Sequence, residues 1–208
     1  MKTIFTLNDI LQMEKQPRTN LINSLPGIRA ANLIGTNNSS GETNLAIFNS
    51  VIHIGAHPPY MGFIMRPVTM PRGTYQNIKD TGYFTINQVN EKIYKQAHQT
   101  SARYEDSEFA ATGLTPEFTS TLKAPYVKES KVKIGLRFVE EQHIKINGTI
   151  LMIGEIQEII LENNYLNESN IVQLQQAEAI GVNGLETYYR VEKVAELPYA
   201  KPDGNILK

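Results

Sequence analysis

The sequence predicts a mainly β fold, a closed or half-closed antiparallel barrel decorated with short helices. Asn147-Gly148, a dipeptide typical of tight hairpin turns, separates two long segments that alternate apolar and polar residues. The turn-forming residues from Asn37 to Gly41 separate two further apolar segments. Six or more strands in such hairpins, with only short helical patterns between them, favour an antiparallel barrel over a parallel sheet.

The chain length favours a single domain. The 208 residues are enough for one sizeable core and too few for two comfortable domains. We expect one domain over 1–208, with its core at about 27–190. A polar N-terminal lead, 1–25, precedes this core, and a C-terminal tail, 191–208, follows it. The hydrophobic content of 41% is typical of a packed globular protein.

Charge and residue types exclude several classes of function. The formal net charge of -1 gives no support to bulk attraction to nucleic acid or to an anionic membrane. The chain has no cysteine, which excludes disulfides, thiolate nucleophiles and iron–sulfur clusters, so electron transfer would need a bound organic cofactor. Because no apolar run could span a bilayer and no signal-peptide pattern is present, we expect a cytoplasmic protein.

Apolar segments between turn signals indicate the order of elements in the first half of the chain. His57-Pro58-Pro59 is predicted to form a turn, because proline cannot continue a sheet ladder. Thr74 is predicted to cap the N-terminus of a short helix that ends at Gly82. The other predicted elements are a helix near 7–13 and strands at 28–36, 44–54, 60–65 and 83–87.

The second half of the chain carries the longest predicted strands. A polar, helix-prone segment at 91–112 ends at Gly113, which is a predicted C-cap, and a proline-containing loop follows at 115–128. Gly154 is predicted to mark a bulge or a barrel corner. The remaining predicted elements are strands at 132–146 and 149–162 and a helix at 171–179.

Two arginines and a threonine lie around the start of the predicted helix. Arg66, Arg72 and Thr74 belong to a loop that leads into the helix N-terminus, where free backbone N–H groups attract anions. Two guanidinium groups and one hydroxyl could converge there on a phosphate. The alternative interpretation is that these are ordinary surface residues near a helix start.

No metal site is predicted. His53 and His57 are four residues apart, but they fall at a strand end and in a turn, where this spacing does not place two ligands on one face. No carboxylate or cysteine stands beside them at metal-ligand spacing. His98 could line a binding site, but it is interpreted as a solvated helix residue.

Three short motifs share their pattern with one known family. The first is NLAIFNS at 44–50, the second is RGTYQNIKDTGYFTIN at 72–87, and the third is GLETYYR at 184–190. They resemble the N-L-A-P-[FY]-S, K-D-T-x-x-N-I-x-x-T-G-x-F-x-x-N and G-[LG]-x-x-Y-x-R motifs of the flavin reductase-like, FMN-binding split-barrel proteins, which include flavoredoxins.

The chain departs from the family pattern at a few positions. Ile47 replaces proline, Asn49 replaces serine, and Arg72-Gly73 replaces Lys-Asp. Arginine keeps the positive charge of lysine, so the capacity to bind a phosphate survives. Asn49 still offers a hydrogen-bond donor, but its reach differs from that of serine.

The resemblance implies a Greek-key split barrel that works as a homodimer and binds FMN. The implied function is an FMN-binding oxidoreductase of flavin-reductase type, in which NAD(P)H transiently binds and transfers hydride to the flavin. Electrons then pass to oxygen, another flavin, a partner enzyme or another redox protein. Position and exclusion of water suffice for this chemistry, so no catalytic side chain is predicted. The predicted cofactor-binding residues are Asn44, Leu45, Ala46, Asn49, Ser50, Arg66, Arg72, Thr74, Asn77 and Tyr188.

Each of these interpretations has an alternative. Residues 44–50 could be an ordinary buried strand. Tyr188 and Tyr189 could stack on or shield the flavin ring, or they could be core or dimer-interface aromatics. The protein could be a flavoredoxin-like electron carrier that holds FMN and turns over NAD(P)H slowly or not at all. It could also be a non-catalytic barrel that binds a phosphate-bearing small molecule.

Overall fold

The computed structural model of the chain describes residues 1–67 and 73–202. Its α-helices are α1 (Leu7–Gln12), α2 (Lys15–Ser24), α3 (Gly73–Thr81), α4 (Tyr94–Gln99) and α5 (Glu108–Thr112). Its strands are β1 (Arg29–Ala30), β2 (Asn32–Asn37), β3 (Thr43–Phe48), β4 (Val51–Ala56), β5 (Pro59–Met65), β6 (Tyr83–Gln88), β7 (Pro116–Glu117), β8 (Tyr126–Val127), β9 (Val132–Ile144), β10 (Thr149–Leu161), β11 (Ile180–Asn183) and β12 (Thr187–Arg190).

Seven strands form one antiparallel sheet that curls into a barrel. The strand order is β3-β2-β6-β9-β10-β5-β4, so the two edge strands are consecutive in the chain and only Asn49 and Ser50 join them. On β5, the Phe63 ring centroid lies 4.9 Å from that of Phe48 on β3 and 5.5 Å from that of Phe84 on β6. These contacts cross the interior of the curled sheet, which confirms the predicted antiparallel barrel.

Two apolar cores lie on opposite faces of β2. Successive strand residues point to opposite faces, so Leu33 belongs to the outer core and Ile34 to the core inside the barrel. Because both faces are covered, β2 is buried from Asn32 to Thr36 and does not alternate between buried and exposed residues. The outer core packs Ala97 of α4, Phe109 of α5 and Ile180 of β11 together. This packing holds α4 and β11 beside the open edge of the barrel.

Turns and bulges that depend on local sequence follow the predictions. Asn147-Gly148 lies in the turn between β9 and β10, and Gly148 has a φ of 72°. A register shift at Gly154 is the predicted bulge, and a Cβ at this position would lie 2.7 Å from Cζ of Phe84. Gly82, with a φ of 75°, follows the last residue of α3 as predicted.

The prediction of one strand at 44–54 is wrong. The structure has β3 and β4 there, because the Asn49 and Ser50 side chains bind the backbones of other segments at the break. Pro59 was predicted to lie in a turn but begins β5, where the first residue of a strand needs no N–H for the ladder. Thr74 lies in the first turn of α3 and is not its N-cap, because the helix begins at Gly73.

The predicted helix at 171–179 is also wrong. The carbonyl oxygen of the Asn167 side chain accepts hydrogen bonds from the N–H groups of Ser169 and Ile171 at 3.0 and 2.8 Å. Asn170 adopts a φ of 60°. Such local asparagine bonds offer the backbone an alternative to a helix. The segment therefore forms turns.

Two further elements differ from the predictions at the periphery. Helix α1 confirms the helix near 7–13, whereas α2 was not predicted, and neither helix buries a residue. The predicted loop at 115–128 contains the short antiparallel pair β7–β8. In the described ranges, no helix is long and apolar enough to cross a membrane.

A half-buried carboxylate ties the 119–126 segment to the barrel. Glu158 Oε1 on β10 accepts hydrogen bonds from Thr119 Oγ1 at 2.5 Å and from the Tyr126 hydroxyl at 2.7 Å. Burial raises the pKa of Glu158, but hydrogen bonds from Thr119, Tyr126 and Thr121 together lower it by more, so this pKa lies below its ordinary value of 4.5. The folded state therefore favours the charged carboxylate.

Glu158→Gln is expected to lower the urea midpoint of unfolding at neutral pH and to change it much less well below pH 4.5. A depressed folded-state pKa stabilises the fold above the unfolded-state pKa, and this contribution is lost as the pH falls through the folded-state value. Urea unfolding followed by circular dichroism at both pH values measures the effect. Glu162→Gln, an exposed carboxylate after β10, is the control. An equal loss at both pH values would contradict the assignment.

Candidate functional site

A cavity of about 490 Å³ opens where the two edges of the barrel meet. Its walls are the link between β3 and β4, the end of β5, the end of α4 with the residues after it, and the turn between β11 and β12. Five of the predicted cofactor-binding residues line it, although they come from distant parts of the chain. The lining residues are Ala46, Ile47, Phe48, Asn49, Ser50, Ile64, Arg66, His98, Thr100, Ser101, Val182, Leu185, Glu186 and Tyr188.

The link between β3 and β4 is fixed to two other segments by its own side chains. Asn49 Nδ2 donates a hydrogen bond to the Gly184 carbonyl oxygen at 2.8 Å, which joins the link to the β11–β12 turn. Ser50 Oγ donates to the Ile64 carbonyl oxygen at 2.9 Å, which joins it to β5. These two bonds hold three walls of the cavity in register with one another.

The side chains of Asn44 and Thr74 form a polar row between the cavity and the N-terminus of α3. Asn44 and Ala46 lie on the same face of β3, and Ala46 lines the cavity. Asn44 Nδ2 donates to Thr74 Oγ1 in the first turn of α3 at 3.0 Å. A Cβ at Gly73 would collide with Asn44 Oδ1, so glycine allows the helix N-terminus to approach β3 this closely. Arg66, at the end of β5, is exposed and lines the cavity.

Arg72 lies outside the described residues. Its predicted contact with a phosphate therefore stays a prediction that is based on the sequence motif. In the sequence, Arg72 directly precedes α3. At the start of this helix, Thr74 supplies a hydroxyl and the helix supplies free N–H groups.

Two predicted ligand residues lie behind the cavity wall and support it. Asn77 is buried and donates from Nδ2 to Thr36 Oγ1 at 3.1 Å, which anchors α3 to β2. The Leu45 side chain is fully buried in the outer core, and its N–H donates to Glu108 Oε2 of α5 at 3.0 Å. These contacts give both residues a positioning role, while the direct cofactor contacts expected of them stay predictions.

His98 and Tyr188 form the wall that faces the β3–β4 link. The distance between His98 Nδ1 and the Tyr188 hydroxyl is 3.0 Å, and the Tyr188 ring also lies 5.6 Å from that of Tyr94. Burial raises the pKa of the Tyr188 phenol, and the nearby Glu186 charge adds to this shift, so the phenol stays protonated at neutral pH. The interpretation of His98 as a solvated helix residue is therefore wrong.

Sequence reasoning could have found His98 from one spacing. Tyr94 and His98 are four residues apart on α4 and so share one face of the helix, and both contact Tyr188. The apolar lining residues Val182 and Leu185 gave no comparable signal, because an apolar residue near a strand end is usually core. Within 1–67 and 73–202, no cluster of three histidine or acidic side chains could hold a metal ion.

Comparison with known proteins identifies relatives of this fold and motif set. The model of the flavin reductase like domain family matches residues 28–177. A split-barrel protein from Shewanella frigidimarina NCIMB 400, described as a candidate flavin reductase, is 49% identical; its crystal structure has a TM-score of 0.92, covering 96% of this chain and 100% of that one.

Two more distant solved structures share the fold. The 2-nitrobenzoate 2-nitroreductase NbaA of Pseudomonas fluorescens is 19% identical, with a TM-score of 0.81 over 97% of this chain and 100% of that one. The flavoredoxin of Desulfovibrio vulgaris (Miyazaki F) is 21% identical, with a TM-score of 0.71 over 83% of this chain and 92% of that one.

The family match covers more than two thirds of the chain. It contains the β3–β4 link, α3 and the α4 wall of the cavity, whereas β11 and β12 follow the matched range. The barrel, the two N-terminal motifs and the cavity walls from the β3–β4 link and α4 thus lie in the part of the sequence that the family model describes, whereas the wall from the β11–β12 turn follows it. The chain therefore belongs to the flavin reductase-like family and has its split-barrel fold.

Proposed function

We propose that this protein is an FMN-binding oxidoreductase of flavin-reductase type, which takes hydride from NAD(P)H and passes electrons to an acceptor. The observation that carries this proposal is the cavity of about 490 Å³ between the barrel edges, with Ala46, Asn49 and Ser50 of the first motif in its wall. Its volume lies within the range of small-molecule sites, about 300 to 1,000 Å³. A cytoplasmic location, where reduced pyridine nucleotides are regenerated, suits this reaction.

The residues around the cavity fit both ends of an FMN molecule. Ile47, Phe48 and Val182 offer apolar surface to a planar ring system, and polar side chains stand next to them. At the other end of the polar row, a helix N-terminus and the Thr74 hydroxyl suit a phosphate, and the Arg66 guanidinium in the cavity wall supplies a positive charge. Arg72 would add a second guanidinium to this set.

The chain's own residues bind, orient and shield the cofactor. A bound FMN supplies the two-electron carrier that this cysteine-free chain lacks. The hydrogen bonds of Asn49 and Ser50 keep the cavity walls in place around the cofactor. Hydride transfer needs proximity and exclusion of bulk water more than an acid or a base.

The visible spectrum of the purified protein and anaerobic mixing with NADH or NADPH test this proposal. We expect a yellow protein that keeps its colour through dialysis and bleaches rapidly with one of the two nucleotides. A yellow protein that neither nucleotide bleaches would favour the flavoredoxin-like carrier. A protein that fails to bind added FMN would overturn both and leave the phosphate-binding barrel.

Arg66→Ala and Arg72→Ala are each expected to weaken FMN binding by roughly tenfold or more, because each removes a charge-assisted donor to the phosphate. Titration of the apoprotein with FMN, followed by quenching of flavin fluorescence, measures the affinity. Arg137→Ala is the matched control, because Arg137 pairs with Glu155 on the barrel surface and does not line the cavity. Equal affinity in all four proteins would contradict the phosphate assignment.

We also propose that the protein works as a homodimer in which the N-terminal arm, residues 1–28, packs on a second copy. Neither helix of this arm buries a residue in the single chain, and several apolar side chains along it are exposed. Exposed apolar patches of this kind are typical of protein–protein contacts. The exposed apolar residues of the arm are Met1, Ile4, Phe5, Leu7, Leu11, Ile22, Leu25 and Ile28.

Light scattering after size-exclusion chromatography tests the dimer. We expect a dimer for the wild-type chain and a shift towards monomer for the double variant Leu7→Glu, Leu11→Glu, because charges on the apolar face of α1 would be buried at the contact. Leu197→Glu, at an exposed position of the C-terminal tail, is the control and should remain dimeric. A monomeric wild-type protein would disprove the proposal.

A further inference from the structure

A second cavity, of about 270 Å³, adjoins the proposed flavin site. Tyr188 lines both cavities and therefore forms part of the wall between them. The proposed function uses none of the other residues of this smaller cavity. The residues that line it are Glu91, Tyr94, Ile180, Tyr188, Tyr189 and Arg190.

Backbone pairing fixes the walls of the smaller cavity. The Glu91 N–H donates to the Glu178 carbonyl oxygen at 3.0 Å, which holds the segment before α4 against the start of β11. Ile180 of β11 lies directly opposite Arg190 of β12 in the antiparallel pair. The cavity is therefore built on paired strands and needs no rearrangement to exist.

The lining of the smaller cavity suits a planar aromatic ring. Tyr94, Tyr188 and Tyr189 supply three aromatic side chains, and buried Ile180 supplies an apolar floor. The Tyr94 and Tyr188 rings are 5.6 Å apart between centroids and are inclined at 52°. Aromatic side chains bind flat ligands through stacking and edge contacts. The volume accommodates one or two fused rings and leaves any attached sugar and phosphate at the mouth.

The mouth of the smaller cavity suits an anion. Arg190 Nε lies 3.0 Å from Glu91 Oε2, and the Arg190 side chain is 76% exposed. An exposed ion pair of this kind contributes little, so the guanidinium can turn to a ligand at small cost. Lys95 Nζ lies 5.9 Å from the centroid of the Tyr94 ring and adds a second cation. The cavity lining thus contains one cation, Arg190, and a second cation, Lys95, lies near the ring of the lining residue Tyr94.

We propose that the smaller cavity binds an adenine nucleotide, with the purine against the tyrosines and a phosphate at Arg190 and Lys95. The proposal rests on the proposed function. NAD(P)H contains an adenine nucleotide, and its nicotinamide must reach the neighbouring cavity to reduce the flavin. An adenine nucleotide can be the adenosine half of that reductant or a free nucleotide such as AMP. Tyr188 would then lie between the nicotinamide half of the dinucleotide, in the larger cavity, and its adenosine half, in the smaller one.

Isothermal titration of the purified protein with AMP and with adenosine tests the binding site. Tyr189→Ala is expected to weaken AMP binding roughly tenfold or more through loss of stacking, and to leave FMN affinity unchanged. Arg190→Gln should weaken AMP binding by a similar factor but leave adenosine binding unchanged, because only AMP carries the phosphate. Tyr199→Ala, an exposed tyrosine of the tail, is the control and should bind AMP like the wild type.

Two outcomes would overturn the adenine site. The first is no detectable AMP binding at about 1 mM AMP, because a nucleotide site is expected to have a lower dissociation constant. The second is equal AMP affinity in the wild type and Tyr189→Ala. Steady-state kinetics then distinguish the two sources of the nucleotide. AMP that competes with NAD(P)H, and a raised KM with unchanged kcat in Tyr189→Ala, assign the site to the reductant. AMP that binds without competing assigns it to a free nucleotide. AMP binding without flavin reduction counts against the reductase and not against this site.

Discussion

Gly35→Ala is expected to lower the free energy of unfolding by about 3 to 5 kcal/mol, which is a large part of the roughly 5 to 15 kcal/mol that is typical of a folded domain. A Cβ at this position of β2 would collide with the Pro125 carbonyl oxygen and would lie 2.6 Å from Thr85 Oγ1. These two neighbours cannot move apart freely, because Thr85 Oγ1 donates to that same carbonyl oxygen at 2.6 Å. The substitution therefore forces a backbone shift and breaks a buried hydrogen bond.

Urea unfolding followed by tyrosine fluorescence and circular dichroism measures the loss, since the chain contains no tryptophan. Gly55→Ala on the edge strand β4 is the matched control. A Cβ there would meet only the Pro58 carbonyl oxygen, at 3.2 Å, so we expect a change within about 1 kcal/mol. If Gly35→Ala unfolded at the same urea concentration as Gly55→Ala, the close packing of the 125–127 segment on β2 would be wrong.

Sequence reasoning predicted the parts of the fold whose conformation depends on residues close together in the chain. The Asn147-Gly148 turn and the helix end at Gly82 depend on backbone conformations that glycine adopts easily. The 171–179 segment shows the limit of this reasoning. Its residues can form a helix, but the Asn167 side chain accepts hydrogen bonds from the backbone at the start of the segment and favours turns. Helix propensity alone does not indicate whether such a segment forms a helix or turns.

The parts that could not be predicted depend on contacts between distant residues. His98 and Tyr188 are 90 positions apart, and Asn49 and Gly184 are 135 positions apart. The packing of α4 and β11 in the outer core brings each pair together, and the hydrophobic pattern of either segment alone does not reveal that packing. The C-terminal wall of the cavity was therefore foreseen only through a resemblance in its motif, and its contact with His98 was not foreseen.

The site motifs combine two roles that the sequence does not separate. Ala46, Asn49 and Ser50 line the cavity, whereas Leu45 and Asn77 satisfy buried partners behind it. Both roles restrict the residue type, since a buried amide group without a hydrogen-bond partner is costly. A motif therefore marks where a site lies more reliably than it marks which of its residues touch the ligand.

Thr74→Val is expected to raise the FMN dissociation constant roughly tenfold to a hundredfold. Valine has nearly the same shape as threonine but lacks the hydroxyl, and Thr74 lies in the first turn of α3 and is only 6% exposed. Loss of the hydroxyl removes a hydrogen-bond donor for the phosphate. It also removes the acceptor for Asn44 Nδ2, so the polar row between the cavity and the helix N-terminus is interrupted. Titration with FMN, monitored by flavin fluorescence, measures the change.

Two companion variants separate cofactor binding from helix stability. Thr81→Val removes a hydroxyl at the other end of α3, where Oγ1 donates to the Asn77 carbonyl oxygen at 2.7 Å, and should affect stability but not FMN affinity. Thr74→Ser restores the hydroxyl and should bind FMN almost as tightly as the wild type. If Thr74→Val and Thr81→Val bound FMN equally well, the start of α3 would support the fold without holding the phosphate, and the anion would have to bind through the arginines alone.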